Sequence, residues 1–215
     1  MEQEHEIAQI LLEKQAVTLN VETPYTYVSG IRSPIYCDNR RLIFFPQERK
    51  RICQAFCRQI EPLILDVIAG IATSAIPWAA WVAEKLEKPM VYIRKQSKGY
   101  GKEQLIEGGD IQGKIAVVIE DLVSTGGSSL HAVNACRAAG AKVLALVAIF
   151  TYQFVNVVPK FQEMNCDVRF LTNFTTLTQV AAEHRFIAKD QLALIQEWNK
   201  DPQRWGPKHG FPNRY

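Results

Sequence analysis

The stretch KIAVVIEDLVSTGGSSLHAVNACRAAGAKVLALVAIFTY, Lys114–Tyr152, decides the fold. Val117–Ile119 is short, continuous and β-branched, which predicts a strand buried on both faces of a parallel sheet. From Ser128 the apolar spacing predicts a helix, closed by Gly140 in the place where helices take a left-handed residue. Val143–Phe150 is a second apolar run. Strand, helix, strand in that order is a crossover unit, and such units build parallel sheets. Between the first strand and the helix stand two adjacent carboxylates, Glu120 and Asp121. The small residues Ser124, Thr125, Gly126, Gly127 and Ser128 follow them. Ligands of open α/β sheets bind at the carboxyl ends of the strands. Carboxylates there accept hydrogen bonds from hydroxyls, and a small-residue turn opening a helix offers backbone amides to a phosphate.

The same rhythm extends in both directions. LILDVIAGIA is a strand and its loop, PWAAWVAEKL a helix with Pro77 at its start, and PMVYIR a strand. Upstream, Glu4–Ala16 has a helical apolar face, and Pro46 begins a helix reaching about Ile60. Downstream, CDVRFLTNF predicts another strand, and residues 175–199 predict two helices. The expected fold is α/β, a central mostly parallel sheet flanked by helices. Residues 1 to about 45, rich in turn residues and aromatics, read as an N-terminal helix and a small hood. The organisation expected is a single domain over 1–215: hood to about 45, core over about 46–200, and a C-terminal extension over about 201–215. RWGPKHGFPNRY in that extension reads as surface-packed.

Bulk properties narrow the function classes. A chain 47% hydrophobic and 22% charged is an ordinary globular one. Its net charge of +3 is too small to imply a nucleic-acid partner. No apolar run reaches the roughly 20 residues that span a bilayer, so no membrane partner is expected. MEQEHEIAQILLEKQ is acidic throughout, unlike a signal or transit peptide. Five cysteines, an odd number without a Cys-x-x-Cys pair, suit a reducing compartment, and a cytoplasmic protein is expected. Cys53 and Cys57 share a helix face and, without further ligands nearby, read as packed thiols.

Two other strand ends carry chemistry. Gly70–Ala75 is a small-residue turn into a helix that an anion could approach closely, although many such turns are small for packing alone. Arg94, Lys95, Lys98 and Lys102 form a basic, glycine-containing loop between core strands, suited to closing over a polyanion. No Walker phosphate loop and no Gly-x-Gly-x-x-Gly fingerprint occurs.

Apolar residues, two acids, two apolar residues, then small hydroxyl and glycine residues: this order resembles the phosphoribosyl-pyrophosphate signature of the type I phosphoribosyltransferases. Three further segments, SGIRSPIYCDNR, YIRKQSKGYGKEQLIEG and AIFTYQF, extend the resemblance over most of residues 17–155. Ser-Gly-x-x-Ser-Pro at Ser29–Pro34 is similar to the hood of the branch whose base is orotate. The resemblance implies that phosphoribosyl pyrophosphate is held by Arg94, Lys95, Lys98, Tyr100, Glu120, Asp121 and the run Leu122, Val123, Ser124, Thr125, Gly126, Gly127, Ser128. In it the two acids take the ribose hydroxyls and Ser124–Ser128 the 5-phosphate. Orotate falls to Ser124, Arg32, Ser33 and Tyr152, and the catalytic roles to Lys98 and Asp121. It further implies Mg2+ as cofactor, held mainly through substrate and water without a protein metal cage. The implied assembly is a homodimer with shared active sites, Lys98 reaching over from the partner.

Departures from the family pattern bear on the base. Val28 stands where some relatives have Lys, Tyr100 where many have His, and Tyr152 is the nearest match to an Arg that some use to hold orotate. Two other readings share the ribose site. One is transfer to another nucleobase, against which the Ser29–Pro34 element speaks. The other is a phosphoribosyl-pyrophosphate-sensing regulator, against which the retained lysines Lys95, Lys98 and Lys102 speak.

Overall fold

In the computed structural model, which describes residues 2–95 and 105–214, the acids lie inside a strand. The elements in chain order are α1 (Glu2–Glu13), β1 (Val17–Leu19), β2 (Tyr25–Thr26), β3 (Arg32–Ser33), β4 (Ile35–Cys37), a 3-10 turn (Asn39–Phe44) and α2 (Pro46–Ile60). Then come β5 (Val67–Ile71), α3 (Ile76–Lys85), β6 (Met90–Ile93), β7 (Ile106–Glu107), β8 (Ile115–Val123) and α4 (Gly127–Ala138). The last are β9 (Lys142–Thr151), α5 (Val157–Glu163), β10 (Asp167–Asn173), α6 (Phe174–Glu183), α7 (Lys189–Lys200) and α8 (Pro202–Lys208). β8 runs past the expected Ile119 because the long β9 keeps pairing with it, Glu120 opposite Ala148 and Val123 opposite Thr151.

Contacts divide the chain into two compact units. The larger, residues 45–151 and 155–171, is built on the sheet ordered β10-β9-β8-β5-β6-β7. β5 pairs in parallel with both β6 and β8, β8 with β9 likewise, and β7 closes one edge antiparallel to β6. From β5 the chain winds toward β6, whereas from β8 it winds toward β9. Right-handed crossovers in opposite directions place α3 and α4 on opposite faces. The crevice outside the carboxyl ends of β5 and β8 is therefore the topological switch point where such sheets bind ligands. The central strands are buried almost throughout, as their continuous apolar runs predict. Cys53 and Cys57 are buried on α2, and burial pushes the Cys53 thiol up to about 12.

The second unit comprises residues up to 44, 152–154 and those from 172 onward. Residues 172–200, expected with the core, group here because α6 packs on α1. Two small hairpins, β1 with β4 and β2 with β3, occupy the segment expected as a hood. Trp198, fully buried, gathers Tyr27, Tyr152, Phe154 and Phe174 about itself. The segment expected as a surface extension holds the helix α8, whose Trp205 is buried and donates to the Leu194 carbonyl at 2.8 Å.

The approach of β5 to α3 generates a stability prediction. A Cβ on Gly70 would lie 2.7 Å from Cβ of Ala79 and 3.2 Å from the Ala75 carbonyl. Gly70→Ala must push α3 off the sheet. A loss of roughly 1–3 kcal/mol is expected, read as a lower thermal midpoint. An unchanged midpoint would show that α3 shifts freely.

Candidate active site

Three turns leave the carboxyl ends of β5, β6 and β8 within the larger unit. In the last residues of β8, before its turn, Asp121 N–H donates to Glu120 Oε1 at 3.0 Å, bending the Glu120 side chain back beside its neighbour. After β5, Ser74 Oγ donates to Asp121 Oδ1 at 2.8 Å, a bond across the switch point. The peptide joining Ala72 to Thr73 in that turn is cis. After β6, Arg94 is fixed twice: its N–H donates to the Leu105 carbonyl at 2.8 Å and its guanidinium lies 3.3 Å from Glu107 Oε1.

Glu120 and Asp121 occupy different environments despite being neighbours. Glu120 is only 4% exposed, whereas Asp121 is half-buried. Burial, first, and then the hydrogen bond and charge of Asp121 hold the Glu120 carboxyl well above its usual 4.5. Lys95 pulls in the other direction. The site thus keeps one carboxyl that resists ionisation beside one with a fixed hydroxyl donor. Incoming hydroxyls or a cation relieve the cost of ionising the first.

The loop after β8 turns into α4 through Gly126, whose φ of 83° is the left-handed conformation a side chain rarely takes. Gly126 has no side chain to cap this helix, so among the described residues its first backbone N–H groups and the positive end of its dipole are directed at the loop. Among the small residues there, Ser124 is half-buried while Thr125, Gly127 and Ser128 are exposed. Leu122 is half-buried and Val123 is buried in the end of β8, leaving their backbones as the groups they can offer.

Arg94 and Lys95 line two cavities at once. One, about 540 Å3, also has Ala72, Thr73, Ile76 and Tyr92 in its wall. The other, about 210 Å3, is walled by Ile71, Ile93, Ser128, His131 and Ala132. The structure therefore brings together Arg94, Lys95, Glu120, Asp121 and the Ser124–Ser128 loop, expected from separate motifs. Lys98 and Tyr100 lie outside the described residues. Ser74, Glu107 and His131 stand beside these groups although the sequence assigns them no role; Ser74 lies in the small-residue turn after β5 and Glu107 in the segment YIRKQSKGYGKEQLIEG.

The hood residues are placed within the second unit. Ser33, fully buried, has its hydroxyl 2.8 Å from the Ile35 carbonyl and 3.1 Å from the Tyr27 oxygen. Tyr27 and Tyr152 oxygens are 3.2 Å apart, and burial, first, holds both phenols above their usual range, Tyr27 at about 12. Ser33, Tyr27 and Tyr152 thus form one neutral hydrogen-bonded chain. Arg32 packs its guanidinium over Phe211 and donates to Thr26 Oγ1 at 2.5 Å. Val28 is fully exposed at the tip of the turn.

Glu120 generates a pH prediction. Its folded value is above the unfolded 4.5, so the native state holds the extra proton, and stability falls as pH rises from 4.5 through the folded value. Glu120→Gln escapes that loss. Its thermal midpoint is expected to exceed that of the wild type by about 2–4 °C per kcal/mol near pH 7.5, the gap closing near about pH 4. Thermal scans across that range check this; parallel profiles would contradict it.

Against known proteins, a phosphoribosyl transferase domain model matches residues 57–174. The orotate phosphoribosyltransferase of Coxiella burnetii is 44% identical over 209 residues, 96% of this chain and 100% of that protein. That of Enterococcus faecalis strain OG1RF is 46% identical over 202 residues, 93% of this chain and 96% of that protein. The crystal structure of orotate phosphoribosyltransferase from Aeropyrum pernix is similar in fold, with TM-score 0.73 and 24% identity over 85% of this chain and 99% of that one. With the domain model matched over more than half of its length and these relatives aligned over nearly all of it, the chain belongs to the phosphoribosyltransferase family, among the orotate phosphoribosyltransferases.

Proposed function

We propose that this chain transfers the 5-phosphoribosyl group from phosphoribosyl pyrophosphate to orotate, giving orotidine 5'-monophosphate and pyrophosphate. The observation that carries the reading is the Ser74–Asp121 bond at the switch point, with Glu120 beside it and the uncapped start of α4 next along the chain. Asp121 and Glu120 accept the ribose hydroxyls, and the amides and hydroxyls of Ser124–Ser128 take the 5-phosphate. Arg94 and Lys95 hold the pyrophosphate, with Arg94 oriented by Glu107. Lys98 and Tyr100 complete this set by family resemblance. Orotate is assigned to Ser124, Ser33, Arg32 and the Tyr152 region.

Displacement at C1 builds positive charge on the ribose and negative charge on the departing pyrophosphate. Fixed carboxylates near the first and cations near the second stabilise both, so positioning and electrostatics carry the rate. Glu120 and Asp121 offer hard carboxylate oxygens, while among the described residues no cluster of three His, Cys, Asp or Glu is placed to hold a metal. That donor set fits Mg2+ bound chiefly by substrate oxygens and water. When bound, magnesium neutralises charge on the pyrophosphate. The active unit in this reading is a two-fold dimer in which Lys98 serves the partner's site.

Following orotate absorbance with phosphoribosyl pyrophosphate and magnesium tests the reaction. Orotate is expected to be consumed at least roughly a hundredfold faster than uracil or a purine; equal turnover of another base would overturn the assignment. Asp121→Asn should lower kcat/KM by about a hundredfold without loss of fold. Lys98→Ala should be similarly inactive, yet mixing the two variants should restore up to about a quarter of wild-type activity through whole sites in mixed dimers. No recovery where mass spectrometry finds mixed dimers would remove the shared site.

A further inference from the structure

The segment beyond α7 does more than cover the surface. Arg214 N–H donates to the Gly30 carbonyl at 2.9 Å, and the Asn213 side chain accepts from Arg32 N–H at 3.2 Å. The Phe211 ring lies under the Arg32 guanidinium at 5.9 Å and stacks on Trp205. A Cβ on Gly206 would fall 2.6 Å from Cβ of Arg32 and 2.7 Å from the Phe211 carbonyl, so a side chain there would displace both. The turn held in this way is Tyr27–Ile31. It closes with Gly30 N–H on the Tyr27 carbonyl and has Gly30 at φ 81°. Its own short hairpin pairs only Tyr25 with Ser33 and Thr26 with Arg32. Two strands of two residues cannot hold a loop by themselves. The tail is in turn anchored to α7, by Trp205 on the Leu194 carbonyl and by Lys208 and His209 on Glu197. Among the described residues Arg32 Nε is buried there without a hydrogen-bond partner, so the guanidinium is held by its bond to Thr26 and by packing on Phe211.

We propose that the C-terminal segment Pro202–Arg214 is a positioning device for the base-binding turn: it sets the backbone of Gly30–Arg32 and the aim of the Arg32 side chain, and through them the affinity for orotate. This rests on the assignment of Arg32 to the base. None of the tail residues touches substrate in this scheme; they act through Arg32. Asn213 is the element most open to test, because its amide oxygen accepts from Arg32 while its NH2 donates to the Gln203 carbonyl at 3.0 Å.

The test uses the full chain and three variants: a chain stopped after Gly210, Asn213→Leu and Asn213→Asp. Stopping after Gly210 removes Phe211, Asn213 and Arg214 but keeps α8 and Trp205. It is expected to raise the KM for orotate about tenfold while the KM for phosphoribosyl pyrophosphate stays within about twofold. Asn213→Leu should give part of that rise and Asn213→Asp, which keeps an acceptor for Arg32 N–H, should recover it. In an Arg32→Ala background the stop after Gly210 should add less than the roughly tenfold it adds in the unaltered chain, about threefold, since part of its effect passes through that side chain. Three results overturn the proposal: an unchanged orotate KM in the shortened chain, equal rises in both KM values tracking a lower thermal midpoint, or full multiplicative loss on top of Arg32→Ala. Orotate turnover by the unaltered chain is the control. Its absence would sink the underlying assignment, whereas normal turnover with an indifferent tail sinks only this inference.

Discussion

The opposite winding from β5 and β8 is the constraint on which the site depends. Two adjacent parallel strands send their chains to opposite faces of the sheet, so neither α3 nor α4 crosses the crevice at their ends. A hydroxyl from the turn after β5 can then meet a carboxylate at the end of β8, as Ser74 meets Asp121. Were both connections on one face, a helix would close that gap. Gly70 lets α3 sit close on β5, and the 72–74 turn between them carries the Ser74 hydroxyl to Asp121.

Charge is distributed across this crevice at a cost to the resting molecule. A carboxyl 4% exposed is held against its own ionisation, with a second carboxyl beside it and Lys95 offsetting part of the penalty. Such a group is poorly placed for stability and well placed to gain from hydroxyl donors and a cation. The cations are better supported: Arg94 has both its backbone and its guanidinium engaged before any ligand arrives.

How much of this was legible in the sequence follows the range of the interactions. β8 and α4 were visible because apolar runs and turn residues act locally. The end of β8 was misjudged, because its last four residues are strand only through pairing with β9. The acid pair and the small-residue loop were legible as a motif, but the different burial of Glu120 and Asp121 was not, since it comes from what packs above them. Ser74 lies 47 positions from its partner Asp121, and no periodicity encodes that bond. Tyr27 sat unremarked in a turn-rich segment because two of its side-chain partners, Tyr152 and Trp198, lie far along the chain. The tail read only as a surface-packed extension for the same reason: its contacts with the Gly30–Arg32 turn join residues about 180 positions apart.

That separation has a consequence for how the chain acquires its structure. The larger unit draws only on residues 45–171, and its parallel pairs join neighbouring segments, so its contacts can form while synthesis continues. The second unit recruits its pieces from both ends of the chain. The N-terminal hairpins must wait, with α1 and the aromatic residues near Tyr27 uncovered, until residues beyond 172 leave the ribosome. Closing a loop of that size is slow compared with forming local pairs. The Tyr27–Ile31 turn, held by that unit, is therefore the last to order and the one most exposed to proteases and chaperones in a nascent chain.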